Sequence, residues 1–194
     1  MSAPVRGQFL GRAGRGLDDA SWAANAAVAK IGQDAEVLTG RALLEFTALG
    51  PSVINDLRIP IPGFTANIDH VVVSGNRVLI IDSKAWAGGF YWTAGGRTRR
   101  GGTLFPEADK KTLPTAVAAL ERYFRSQGVG EVHFERPLLA VWPRQSANFL
   151  LYRPQGNARV THGSRLPTWL RAHVPPAGAR GDILIALARL ANEM

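Results

Sequence analysis

The stretch "NIDHVVVSGNRVLIIDSKAW", residues 67–86, constrains the fold more than any other part of the chain. Two apolar runs rich in Val and Ile flank a Gly-Asn pair, the pattern of two strands closed by a two-residue hairpin loop. With Gly75 and Asn76 as that loop, Ser74 faces Arg77 and every cross-strand pair sums to 151. Asp69 then lies opposite Asp82. Both share a face with Val71, Val73, Val78 and Ile80, because side chains alternate with a period of two. Lys84 stands one step further along that face.

Facing carboxylates about 5 Å apart repel by roughly 3 kcal/mol at an effective dielectric of about 20. That is a large part of the roughly 5–15 kcal/mol that holds a domain together. A shared proton, neighbouring basic side chains or a divalent cation could each offset it. In a plainer reading, Asp69 caps a strand end and Asp82 pairs with Lys84 on a solvated edge. The run "VLII" ahead of Asp82 is apolar on both faces, which places the acid at the exit of a central strand. There are no cysteines, so thiolate nucleophiles, disulfides and Cys-type zinc sites are excluded. His133, His162 and His173 show no zinc spacing. A metal here would sit on oxygen, which favours a hard ion such as magnesium.

The remaining chain supplies both helices and strands. "DDASWAANAAVAKIGQDAEVLTGRALLEFTAL" predicts a short helix, a break near Gly32 and a second helix to about Leu49. "SVINDLRIPI" predicts a strand. Residues 87–111 read as Gly-rich, basic turns around a short strand at 90–93. "TLPTAVAALERYFRSQG" has the spacing of an amphipathic helix stopped by Gly128. "RPLLAVW", "NFLLY" and "ARVTH" predict strands, and "SRLPTWLRAHV" and "GDILIALARLANEM" predict closing helices. Strands between terminal helices imply an α/β sandwich.

At 194 residues with 46% hydrophobic and 20% charged residues, the chain has the length and composition of one globular domain, expected over 18–194. Residues 1–17, with Arg but no acid, would suit a transit peptide or a flexible basic arm, and the arm is expected. No apolar run reaches a membrane span or a secretory signal, so a cytoplasmic protein is expected. The net charge of +8 makes a polyanion the first partner to consider. Arg97, Arg99 and Arg100, with Lys110 and Lys111, could follow a phosphate backbone. Trp86, Phe90, Tyr91 and Trp92 read chiefly as packing residues, and His70, alternating away from the acids, as structural.

The order of Asp69 and then Asp82-Ser83-Lys84 at the end of an apolar strand resembles the PD-(D/E)xK nuclease superfamily. More narrowly, "GQDAE" at 32–36, "NIDHVVVS", "VLIIDSKAWAGGF" and the "FP" at 105–106 resemble the nuclease-related domain, NERD. The resemblance implies a restriction-endonuclease-like mixed central sheet flanked by helices. It further implies metal-dependent hydrolysis of phosphodiester bonds, DNA being favoured over RNA, with Mg²⁺ as cofactor and Mn²⁺ as a substitute. Carried over to this chain, it makes Glu36 the helix acid, Asp69, Asp82 and the Ser83 carbonyl the metal ligands, and Lys84 the catalytic lysine. The chain departs from the family pattern at Ala35, where a glycine is usual, at Asp82, where Glu is commoner, and in "FPEADK". In that segment Asp109 or Lys110 stands near a usual Gln. A module on the same fold that binds nucleic acid without cutting it is the alternative expectation.

Overall fold

A computed structural model of the chain describes residues 4–14 and 26–191. In chain order the strands are β1 (Pro4–Val5), β2 (Phe9–Leu10), β3 (Ser52–Arg58), β4 (Asn67–Ser74), β5 (Arg77–Lys84), β6 (Gly89–Ala94), β7 (Arg97–Arg100), β8 (Thr103–Leu104), β9 (His133–Phe134), β10 (Leu138–Val141), β11 (Ala147–Leu151), β12 (Arg159–His162) and β13 (Ala179–Arg180). The helices are α1 (Ala26–Thr47), α2 (Thr112–Ser126), α3 (Leu166–His173) and α4 (Gly181–Ala188).

The hairpin forms as its pattern predicts. The β4–β5 ladder pairs Ser74 with Arg77, Val73 with Val78, and so on to His70 with Ile81. Gly75 at φ 59° takes the left-handed position of a turn whose first central residue is Gly. Around it a mixed sheet runs β12-β10-β5-β4-β3-β2, with β9 also on β5. The β12–β10, β10–β5 and β3–β2 pairs are parallel; β3–β4 and β4–β5 are antiparallel. The architecture is restriction-endonuclease-like, a mixed sheet between helices.

Alternation along β5 feeds two cores. Val78 and Ile80 join Val71, Val73, Leu120, Phe124, Ile183 and Leu187, the layer beneath α2 and α4. Leu79 and Ile81 join Leu43, Phe46, Leu166 and Leu170 from α1 and α3. β5 is thus sandwiched on both faces and paired on both edges, which explains the unbroken apolar run. The predicted α2 ends as expected: Gly128 at φ 68° lets Val129 N–H reach Phe124 O at 3.0 Å, closing the helix.

Three expectations are revised. α1 is one helix through Gly32 and Gly40, with no break. The reason for a glycine at position 40 is packing: a Cβ there would stand 2.6 Å from the Ala13 Cβ, so the helix has traded propensity for a close approach. Residues 4–14, read as part of a free arm, lie along the sheet instead. β1 pairs with β13 and β2 with β3, and Asn55 Nδ2 donates to Leu10 O at 2.9 Å.

The stretch read as turns around one short strand holds three strands. β6, β7 and β8 form antiparallel hairpins through the pairs Gly95-Gly96 and Gly101-Gly102, and β11 adds in parallel to β6. This small sheet packs Tyr91 on Trp86, Phe105, Phe149 and Tyr152. Among the described residues no helix is long and apolar enough to cross a membrane.

Candidate functional site

The site grows from the end of β5. The central strand delivers Asp82, Ser83 and Lys84 to its exit, and the neighbouring β4 brings Asp69 to the same place. The Ser83 backbone N–H donates to Asp69 Oδ2 at 2.7 Å, and Lys84 Nζ stands 2.7 Å from Asp82 Oδ2 and 3.3 Å from Ser83 O. Asp82 and Lys84 do form an ion pair, though on a central strand rather than a solvated edge. The Asp82 side chain is 13% exposed and that of Lys84 37%, so the carboxylate is shielded while the lysine is partly open to the cleft.

A cleft of about 720 Å³ opens over these groups. Glu36 enters it from α1, alongside Asp69, Asp82, Ser83 and Lys84. Its further walls are apolar and aromatic, including Trp86, Phe105, Leu113 and Tyr152, with Lys110 and Arg144 adding charge.

Carboxylates outnumber the ammonium, and the electrostatics follow. Burial first, and then Asp69, push Glu36 up to about 8; Asp82 and Asp56 add to this, and Lys84 offsets part of it. Burial and then Asp82 push Asp69 up to about 7, against the opposing pull of Lys84 and the Ser83 N–H. Burial alone would lower Lys84, but Asp82, Asp69 and Glu36 outweigh it and hold the ammonium above its ordinary range. Lys84 therefore keeps its proton at neutral pH. It can donate hydrogen bonds and supply charge.

The sequence reading missed Asp56. This residue sits mid-strand at φ 53°, is 7% exposed, and accepts a hydrogen bond from Asn67 Nδ2 at 2.8 Å. A left-handed conformation is uncommon outside glycine, and it opens the β3–β4 ladder between Asn55↔His70 and Leu57↔Ile68. In the sequence Asp56 stands among other polar residues of "SVINDLR", beside Ser52, Asn55 and Arg58, and nothing there sets it apart.

On the opposite face of β5 the support is polar and fully paired. Ser83 Oγ lies 2.8 Å from Thr39 Oγ1 and 3.1 Å from His70 Nε2, and His70 Nδ1 lies 2.8 Å from Asn55 Oδ1. Trp142 Nε1 donates to Thr39 Oγ1 at 2.8 Å. Asn55 directs its amide N–H groups to backbone carbonyls, so its Oδ1 must accept and His70 carries its proton on Nδ1. Burial lowers His70 to about 3, which keeps the ring neutral. His70 is structural, as expected, and braces the residue between Asp82 and Lys84.

The predicted nucleic-acid residues separate. Lys110 lines the cleft, whereas Asp109 is held by Thr98, whose N–H and hydroxyl donate to it at 3.0 and 2.6 Å. Lys111 is exposed just before α2. Arg97 and Arg99 lie on the outer face of the small sheet, and Arg100 pairs opposite the buried Tyr91.

The family model described as "Nuclease-related domain", NERD, matches residues 31–136, a span that holds β3 to β9, with β6, β7 and β8 of the small sheet, and α2. The chain belongs to the NERD family. NERD is part of the PD-(D/E)xK-like nuclease superfamily, and the matched span contains Glu36, Asp69, Asp82 and Lys84. Neither the curated proteins nor the solved structures give a match to this chain.

In this NERD chain no three His, Asp or Glu side chains among the described residues are grouped closely enough to hold a metal ion by themselves. The donors near β5 nevertheless fit a hard cation. They are carboxylate and carbonyl oxygens gathered in one cleft, and magnesium is commonly held by one or two carboxylates, with waters and substrate phosphate completing its shell.

Proposed function

We propose that the chain is a divalent-metal-dependent nuclease that hydrolyses phosphodiester bonds, acting on DNA as an endonuclease. The observation that carries the reading is the gathering of Glu36, Asp69, Asp82 and Lys84 in one cleft at the exit of the central strand, inside the family match. Asp69, Asp82 and the Ser83 carbonyl would hold Mg²⁺, with Mn²⁺ as a substitute. When bound, the ion supplies positive charge at the phosphate and acidifies a water molecule.

The remaining roles belong to the side chains. Lys84, fixed by Asp82 and permanently charged, donates to the attacking water or to the phosphate oxygens as negative charge builds on them. Glu36 accepts hydrogen bonds from water in the cleft and orients it. Asp69, tied to the Ser83 N–H, holds the "DSK" backbone in place. Lys110 and Arg144 on the walls meet the flanking phosphates.

Incubation of the purified protein with supercoiled plasmid and Mg²⁺ tests the proposal. Nicked and linear products are expected, with Asp82→Ala and Lys84→Ala each lowering the rate by about 10²–10³-fold or more. Intact plasmid across divalent metals and pH, with folded protein, overturns it.

A second reading has its own support. Asp82 already pairs with Lys84, and Asp69 already accepts from Ser83, an arrangement also suited to binding nucleic acid without cutting it. That version predicts salt-sensitive, metal-independent binding, and calorimetric Mg²⁺ binding abolished by Asp82→Ala excludes it.

A further inference from the structure

The small sheet has an outer face that the proposed chemistry does not use. Tyr91 marks the inner face, being fully buried against Trp86. By alternation Phe90 and Trp92 point the other way, and register extends that face across all four strands. Leu151 pairs with Trp92, Trp92 with Arg99, and Arg99 with Leu104. One row of side chains thus runs Leu151, Trp92, Arg99, Leu104, with Phe90 and Arg97 beside it. Phe90, Leu104 and Leu151 are 42%, 45% and 50% exposed. Large apolar groups this open, set in a continuous row, mark an interaction surface.

Two features indicate what covers it. The charged side chains of this face are Arg97 and Arg99, and segments 87–105 and 142–153, which build the sheet and its connections, contain no Asp or Glu. The occupant is therefore an anion. The flat groups are also preset: Trp92 Nε1 donates to Gly101 O at 2.8 Å, Arg99 Nη1 donates to Gly102 O at 2.8 Å, and the Arg99 guanidinium lies 5.8 Å from the Trp92 ring centre. An anchored indole and guanidinium lose little freedom when a planar ligand stacks on them. Aromatic side chains interleaved with arginine on a sheet suit bases and phosphates together.

Spacing then selects the strand state. Phe90 and Trp92 are two residues apart on one strand, so their attachment points are separated by about 6.6 Å. Bases stacked in a duplex rise by about 3.4 Å, and their faces are hidden. Only unpaired, splayed bases can meet both rings.

We infer that the outer face of the β11-β6-β7-β8 sheet is a binding platform for single-stranded nucleic acid, centred on Trp92 and Arg99. The inference rests on the nuclease reading for the identity of the polyanion. The sheet itself supplies the requirement that the strand be unpaired. In the working protein, the platform would hold an unpaired stretch while the cleft acts on the same molecule.

Fluorescence anisotropy with a labelled oligothymidylate of about 20 nucleotides, and with a duplex of equal length, tests this in EDTA, where no cutting occurs. Tighter binding of the single strand is expected. Trp92→Ala and Arg99→Ala each weaken it by about tenfold or more, with less than about twofold effect on the duplex. Because Trp92 contributes to packing, Arg97→Glu and Leu151→Glu, at more open positions, serve as the second pair and should weaken the single strand similarly. Thermal melts establish that each variant is folded. Equal binding of single and double strands, or wild-type affinity in all four variants, overturns the platform. So does sedimentation showing a dimer that Leu151→Glu dissociates, since the face would then join two copies. Plasmid left intact alongside Trp92-dependent single-strand binding would remove the nuclease reading and leave the platform standing. Normal cutting with no effect of these variants on single-strand binding would do the reverse.

Discussion

Asp69 carries a conflict that a pH titration can expose. Its carboxyl is raised to about 7 and that of Glu36 to about 8, so between about pH 4 and these values the folded protein holds protons that the unfolded chain has released. Stability of the metal-free protein therefore falls as pH rises through that window, the reverse of an ordinary paired aspartate. His70, lowered to about 3, acts oppositely, since the unfolded chain takes up its proton as pH falls below about 6.5. Between about pH 6.5 and 8 the acids alone set the slope. Chemical denaturation in EDTA should show stability declining over that interval, and Asp69→Asn should flatten the decline and raise Tm at pH 8 by about 2 °C or more. An unchanged slope in the variant would mean that Asp69 is ionised without strain. Asp69 and Asp82 were legible as a pair because the Gly-Asn loop and the two-residue period fix their register. Asp56 was not, because its role depends on a local left-handed kink that no periodic pattern announces.

At the scale of elements, α1 shows a tertiary contact overriding a local preference. Gly32 reads as a break because glycine disfavours helix by about 1 kcal/mol. The layer of Leu43 and Phe46 against the sheet and the contact of Gly40 with Ala13 are non-local, and neither can be seen in a window of sequence. Gly40→Ala should therefore destabilise the protein by about 1–3 kcal/mol in urea denaturation, despite its better helix propensity. Restoring the space with Ala13→Gly in the same chain should recover much of the loss. If Gly40→Ala stabilises instead, the close approach does not govern the helix. The small sheet was hidden for a different reason. β7 has four residues and lies between glycine pairs, and β8 has two and follows the second pair, so turn chemistry dominates the pattern even though those same glycines close the hairpins. The helix at 112–126 and the strand at 138–141 were legible because amphipathic spacing and an apolar run suffice to define them.

Over the whole molecule, the charge of +8 is unevenly placed. The cleft collects acids, and the small sheet bears arginines without a single acid. The segment 4–14 adds a structural dependence, since β2 covers the outer edge of β3. A chain starting at residue 15 would uncover the edge of β3 at Val53 and Ile54, and exposed edges invite strand addition. Size-exclusion chromatography of that truncation should show concentration-dependent assembly, with a lower Tm than the full chain. A monomeric, equally stable truncation would show that β2 is dispensable.

The two-residue turn at Gly75-Asn76 carries a consequence for how this protein can drift over generations. Its spelling can vary among pairs that permit the same bend, but its length cannot. One inserted or deleted residue reverses the parity of a strand, turning an acid toward α1 and swinging its buried neighbour, His70 or Ser83, out toward the cleft. Substitutions would be gradual in effect, whereas a single indel there would dismantle the candidate site and its brace in one step.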